Sequence, residues 1–179
     1  TDVDFVIARV GGRGYTVGAI YDDTKFDEYA DGAARAGLQV GAYFFSQAVS
    51  VAEAQEEAYH VLDKLRGHEI TGPVVFDWEV IGKSEARTYG IETGVLCAAA
   101  NAFCEIIKDA GYDPMIYITD YAGYVKYDLS EVMDYPLWYA RYDVDAPSFY
   151  YDFAMWQYSS KGSVDGIKGN VDMDIWFIK

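Results

Sequence analysis

Positive charge is what this chain has least of. It carries 14 Lys and Arg against 29 Asp and Glu, a formal net charge of −15. Sequence-independent binding to nucleic acid depends on Lys and Arg neutralising phosphates, and adhesion to an anionic membrane depends on basic clusters. The composition argues against both partners, while the acidity itself serves solubility and identifies no ligand. Cysteine is nearly absent as well. Cys97 and Cys104 are seven residues apart in a helical stretch, about 10 Å along its axis. That is beyond the reach of a disulfide, so they read as small buried apolar residues and leave the redox compartment open. His60 and His68 fall on or just after a helix and read as part of a solvated face. No His/Cys cluster is present, so neither a metal nor another cofactor is expected. No apolar run is long enough to span a membrane, and these 179 residues hold no signal-peptide pattern, which a secreted chain loses on processing and a chain cut from a longer one lacks. Gly11-Gly12-Arg13-Gly14 lacks the spacing of a phosphate cradle. No internal repeat or low-complexity linker interrupts the chain.

What remains is a chain of 179 residues, 51% of them hydrophobic, enough for one domain with a substantial core. Its apolar runs alternate between strand and helix periods. Phe5 to Val10 reads as a strand, followed by the glycine-rich loop. Lys25 to Ala36 reads as a helix with Phe26, Tyr29, Ala30 and Ala33 on one stripe, closed by Gly37. Leu38 to Phe45 is a second strand. Residues 51 to 66 form an amphipathic helix with Ala54, Ala58, Val61, Leu62 and Leu65 on its apolar face. Ser50 caps it, with Glu53 completing a capping box. Gly72 to Val80 is a strand, and residues 85 to 110 read as one long helix with the stripe Ile91, Val95, Ala99, Ala102, Ile106 and Ala110. Strands follow at 115–119, 136–142, 153–158 and 171–178, with no good helix between the late ones. Alternating strands and helices imply a parallel sheet, here an α/β fold of irregular (β/α) barrel type. Chemistry in such barrels sits at the C-terminal ends of the strands.

Asp77-Trp78-Glu79 sits at the end of an apolar run, Gly72 to Val80, that reads as a strand buried on both faces. Residues two apart in a strand share a face, with Cα atoms about 6.5 Å apart. Two carboxylates converging beside a hydrophobic strand are costly to bury. Such a pair serves glycosidic hydrolysis, which uses two acids in different protonation states. It can also simply face solvent or cap the next helix. The recurrence of polar and aromatic residues in the same place on other strands changes that balance: Tyr43, Tyr117, Tyr142, Gln157 and Asp172 all fall toward strand ends. The tyrosines can stack on sugar rings or pack the barrel with their hydroxyls at the rim. Gln157 can bind an acetamido group or make a structural hydrogen bond. Trp78, Trp138 and Trp156 read as core.

Several blocks, in order, resemble the glycoside hydrolase family 25 lysozymes, muramidases of bacteria and their phages. They are Asp4-Phe5-Val6-Ile7-Ala8-Arg9, the segment Ala36 to Phe45, Val75-Phe76-Asp77-Trp78-Glu79, and the segment Ala110 to Tyr117. Leu137 to Tyr142, Met155 to Ser160, Val164 to Ile167 and Val171 to Asp174 complete the set. The resemblance implies an irregular TIM-like barrel of eight strands with fewer than eight helices. It implies that Glu79 is the general acid, that Asp77 is its partner carboxylate, and that Asp172 is an acidic residue from the last strand. It implies cleavage of the β-1,4 bond between N-acetylmuramic acid and N-acetylglucosamine. The partner would then be the glycan strand of peptidoglycan, met outside the cell or at its wall, and the intact protein would be a monomer. One block is missing: the family's opening Gly-Ile-Asp-Val-Ser-like strand, whose Asp lies in the active site. Asp2 and Asp4 do not match it. The expectation is a single domain over residues 1–179, truncated at its N-terminus and lacking its first strand. A glycan-binding module of the same fold without catalysis is the alternative. A chitinase-like barrel is disfavoured, because residues 72 to 79 hold only Asp77 and Glu79 of that family's longer acidic signature.

Overall fold

The computed structural model describes residues 3–177. Thr1 and Asp2, and Ile178 at the far end of the last strand-like run, lie outside the described residues. The strands are β1 (Phe5–Arg13), β2 (Ile20–Asp22), β3 (Gln39–Ser46), β4 (Val74–Trp78), β5 (Pro114–Thr119), β6 (Leu137–Ala140), β7 (Met155–Gly162) and β8 (Val171–Trp176). The helices are α1 (Phe26–Arg35), α2 (Val51–Leu65) and α3 (Thr93–Asp109). All the strands belong to one mixed sheet in the order β2-β1-β3-β4-β5-β6-β7-β8. The six from β1 to β7, leaving out β2, run parallel, while β2 and β8 are antiparallel to their neighbours. The sheet is curled: five strands separate β1 from β8, yet the rings of Phe5 and Trp176 meet edge to face at 5.6 Å. Among the described residues no backbone pairing closes it, and the edge of β1 along Phe5–Arg9 away from β3 pairs with no strand.

Period-two alternation sorts each central strand into two buried faces. Ala8, Val40, Ala42, Phe44, Val74, Phe76, Ile116, Ile118 and Tyr139 join the main core, which also holds the buried faces of the helices. Their alternates Val75, Met115, Tyr117, Trp138 and Met155 form a second cluster on the concave side, with Phe5, Ile7, Tyr43 and Trp176 packed against it. This is why the strands read as continuous apolar runs.

α1 and α2 match their sequence signals closely. Gly37 takes a φ of 80°, which ends α1, and the Ser50 hydroxyl accepts from the Glu53 amide at 3.3 Å. Glu53 reaches back one residue further than a capping box requires, accepting from the Val49 amide at 2.9 Å. Tyr29 is exposed rather than on the α1 stripe.

Three expectations are corrected. Gly11, Gly12 and Arg13 are strand, not loop: β1 continues through them to pair with β2. The glycines permit the approach, since a Cβ at Gly11 would stand 2.2 Å from the Tyr21 carbonyl. The long helix is shorter and rotated. It begins at Thr93, and its buried face is Leu96, Cys97, Ala99, Ala100, Phe103, Cys104 and Ile107. So many small apolar residues line this segment that periodicity does not single out one stripe, and packing against α2 and the sheet decides. Residues 85–92 instead form an irregular loop tied down by Arg87 and Thr88. His68 is not on a solvated face: it packs edge-on against Phe26 and bonds Asp31 at 2.7 Å.

After β5 helices run out, leaving one π-helical turn (Ala122–Lys126) and one 3-10 turn (Leu129–Glu131). Aromatic side chains cover part of the outer face there. Phe149 stacks on Tyr139 at 4.6 Å, and Tyr124 and Tyr151 pack onto Phe149.

One buried ion pair ties β1 to α2. Glu57 is fully buried, accepting from Arg13 Nε at 2.7 Å and from the Ser46 hydroxyl at 2.6 Å. Arg13 also donates to the Gly18 carbonyl at 2.7 Å and to Glu56 at 2.7 Å. Replacing Glu57 with Leu leaves the guanidinium buried with only its outer partners. We expect Glu57→Leu to lose about 3 kcal/mol in urea unfolding, and the double variant Arg13→Met with Glu57→Leu to lose less. Equal losses would show that the charge imbalance is not the cause.

Candidate active site

β4 is buried along its whole length. Asp77 shares the concave parity of Val75, whereas Trp78 faces the outer core with Phe76. Glu79 comes one residue past the strand and is half-buried at the rim. Asp77 is 6% exposed, and its Oδ1 has no hydrogen-bond partner among the described residues. Burial, then the negative field of Glu79, holds the Asp77 carboxyl well above the usual range; Asp172 adds to this and Arg9 opposes it. Glu79 is raised for similar reasons, first burial and then Asp172. Two carboxyls in one another's field do not both ionise readily, so the pair retains a proton above the ordinary carboxylate range. The dryness of the strand on which Asp77 lies is the first cause of its rise.

Asp172 reaches the same rim by another route. Expected near the C-terminal end of its strand, it is the second residue of β8. The reason is direction: β8 runs antiparallel, so its start lies at the end where the parallel strands finish, as the pairing of Val171 with Gly162 shows. Asp172 is exposed and raised by partial burial. Two residues on, Asp174 faces the same side and accepts from Trp138 Nε1 at 2.8 Å. Burial pushes Asp174 up to about 7, with Asp172 adding to the rise and the indole N–H opposing it.

The aromatic residues form the floor. Tyr43 and Tyr117 each meet Trp138 edge-on, at 6.4 and 5.1 Å between centroids. Gln157 is buried as the third residue of β7, short of its end. Its Oε1 accepts from Tyr117 at 3.0 Å and from Tyr142 at 2.5 Å. With the oxygen taken by both phenols, the amide nitrogen is turned to donate elsewhere. Tyr142, just past β6, is 38% exposed and stands at the mouth.

All seven residues singled out from sequence therefore lie on the concave side or its rim. Three more belong with them. Asp174 was legible in principle, since Asp172 and Asp174 repeat the alternate-residue spacing of Asp77 and Glu79. Trp138 read as core and is core, but its N–H serves a carboxyl. Arg9 shares the parity of Phe5 and Ile7 and is the cation that opposes the rise of Asp77. It donates to Asp23 at 2.7 Å, and no spacing signal announced it.

A deep acidic pair on an aromatic floor suits general acid chemistry on a flat, neutral, hydroxyl-rich ligand. Comparison with known proteins agrees. Residues 3–167 match the model of glycosyl hydrolases family 25. The autolytic lysozyme of Clostridium acetobutylicum is 31% identical over 160 residues, covering 89% of this chain and 46% of that protein. The crystal structure of the CTP1L endolysin is 27% identical with a TM-score of 0.73, covering 95% of this chain and 56% of the other. The bacterial lysozyme of Streptomyces coelicolor is 26% identical with a TM-score of 0.73, covering 96% of this chain and 79% of the other. The chain spans about half the length of the curated relatives it matches. With the family match running from the first described residue to residue 167, short only of β8, the chain belongs to the glycosyl hydrolases family 25.

Proposed function

We propose that this chain is the catalytic region of a peptidoglycan hydrolase that cleaves the β-1,4 bond between N-acetylmuramic acid and N-acetylglucosamine. The observation that carries the reading is the pair Asp77 and Glu79, buried at the end of β4 above Tyr43, Tyr117 and Trp138, in a chain of this family. Glu79 is the rim-side member, so the proton held by the pair reaches the leaving oxygen through Glu79. Asp77 lies deeper. Once the proton has gone, its ionised form opposes the positive charge developing on the sugar, directly or by orienting the 2-acetamido group. Asp172 and Asp174 sustain the negative field, and Tyr142 and Gln157 hold the sugar. The substrate is the glycan strand, which places the protein outside the cell or at its wall. It works as a monomer, with neither nucleic acid nor membrane as a partner.

We also propose that the fold is an irregular TIM-like barrel whose seam between β1 and β8 receives a further extended segment from sequence outside these 179 residues. The free edge of β1 and the partly buried apolar side chains of Phe5, Ile7 and Trp176 support this reading, since free edges invite pairing. Such a segment would bring a further carboxylate to the rim.

Three kinds of outcome are expected, the first read in two ways at the site itself. Digests of cell wall by the full-length protein, reduced with borohydride and weighed by mass spectrometry, should carry reduced muramic acid ends. Glu79→Gln should lower turnover at least ~100-fold with folding unchanged. Reduced N-acetylglucosamine ends would refute the muramidase reading, and binding without cleavage would favour the glycan-binding module. Next, the 179 residues alone should melt at a lower temperature and lyse wall more slowly than a form extended upstream by about 15–25 residues, one strand and its connection. Equal behaviour would mean that the seam needs no further strand.

The third outcome concerns pH. Asp77, Glu79, Asp172, Asp174 and Glu57 all have raised folded values. Each binds more proton folded than unfolded once pH exceeds its ordinary value, so stability falls as pH rises through the raised one. Asp22, Asp23 and Glu53 are lowered; the stability they contribute is fully present above the ordinary range and is lost only as pH falls below it. The melting temperature should therefore be higher at pH 5.5 than at pH 7.5, and Asp174→Asn should narrow the difference. A melting temperature that rises with pH over this interval would contradict the assignment.

A further inference from the structure

The carbonyl of Glu79 is held by a side chain from a different strand. Gln47 follows β3 directly and is fully buried. Its Nε2 donates to the Glu79 carbonyl at 3.0 Å and to the Ser46 carbonyl at 2.9 Å. Its Oε1 accepts from the Thr88 hydroxyl at 2.8 Å. Thr88 is itself buried, in the irregular loop that sequence periodicity assigns to a helix. The next residue back, Arg87, donates to the Gln47 carbonyl at 3.0 Å and grips Glu53 with both nitrogens, at 2.9 and 2.6 Å. The Arg87 amide donates to the Tyr15 carbonyl at 2.8 Å.

This arrangement fixes the amide of Gln47 in one sense. The Ser46 and Glu79 carbonyls can only accept, so the nitrogen must face them and the oxygen is left to accept from Thr88. Both protons of the nitrogen are then spent on backbone carbonyls, one of them that of Glu79. Every polar atom of the Gln47 side chain is satisfied, in a position where an unsatisfied one would be costly. β4 has already ended at Trp78, so strand pairing no longer holds the backbone at Glu79.

We infer that Gln47, oriented by Thr88, is a positioning residue that sets where the Glu79 carboxyl stands over the concave face. The inference rests on the reading of Glu79 as proton donor. Without the bond from Gln47, the first residue past the strand is free to turn. Its carboxyl then leaves the partly dry position beside Asp77 on β4, Asp172 on β8, Tyr117 on β5 and Tyr142 just past β6, and gains water. A misplacement of about 1 Å is enough to cost on the order of 100-fold in rate.

The test compares Thr88→Val with Thr88→Ser in the full-length protein, on soluble wall glycan fragments, with Glu79→Gln as the control. Val keeps the shape and removes the donor; Ser keeps the donor. Thr88→Val should lower kcat about 10- to 100-fold with KM little changed. The alkaline limb of its pH profile should move to lower pH, because a hydrated Glu79 gives up its proton sooner. Thr88→Ser should restore both. Gln47→Ala should reproduce the Val result, and the Thr88 pair still decides if that variant fails to fold. A Thr88→Val protein with lower melting temperature but unchanged kcat and pH limb would overturn the inference and leave the network purely structural. If Glu79→Gln itself keeps normal turnover, the donor assignment fails instead, and the two failures are told apart.

Discussion

A strand buried on both faces is a poor place for a carboxyl group, and β4 carries Asp77 near its end with Glu79 one residue beyond it. The rest of the molecule can be read from that constraint. The strand must be dry because helices α2 and α3 and the main core cover its outer face, while the second cluster covers its inner one. Dryness raises Asp77 and Glu79 and lets the pair keep a proton where an ordinary carboxylate would have lost it. The same dryness is a liability for folding, and among the described residues the cation that offsets the burial of Asp77 is Arg9. Stability is given up locally for a reactive protonation state.

The compensation lies on the other side of the sheet. Arg13, Glu57, Ser46, Glu53 and Arg87 form a connected set of charge-assisted hydrogen bonds that joins β1, β3, α2 and the loop before α3. This set reaches the site through Gln47. The charged network and the acidic pair are thus neighbours with opposite logic. One consists of charges matched and satisfied. The other consists of like groups set together, with Asp77 Oδ1 left without a partner among the described residues. The helix-poor half of the sheet solves a simpler problem with apolar matter alone, laying Phe149 and its neighbours over Tyr139.

Much of the fold was legible because strand and helix periods are local properties of the chain. The runs Phe5 to Val10, Leu38 to Phe45 and Gly72 to Val80 lie within a few residues of the observed strands, and Ser50 marks the start of α2. Where the reading failed, the deciding interaction was remote. Gly11 and Gly12 look like a loop until Tyr21 is brought against them. Residues 85–92 look helical until Arg87 and Thr88 find Glu53 and Gln47 some forty residues away. His68 looks solvated until Phe26 and Asp31 close over it.

The same division runs through the site. The sequence alone determined that Asp77 and Glu79 lie two residues apart at the end of a strand, and that Tyr43, Tyr117, Tyr142, Gln157 and Asp172 fall on or beside strands. Only the curled sheet decided that Asp172 and Asp174 come to that rim from an antiparallel strand, and that the amide of Gln157 is shared by two tyrosines. Only tertiary packing decided how dry each carboxyl is. Alternation is set by bond geometry within a few residues, whereas burial and electrostatic field are sums over atoms that the chain brings together from its whole length.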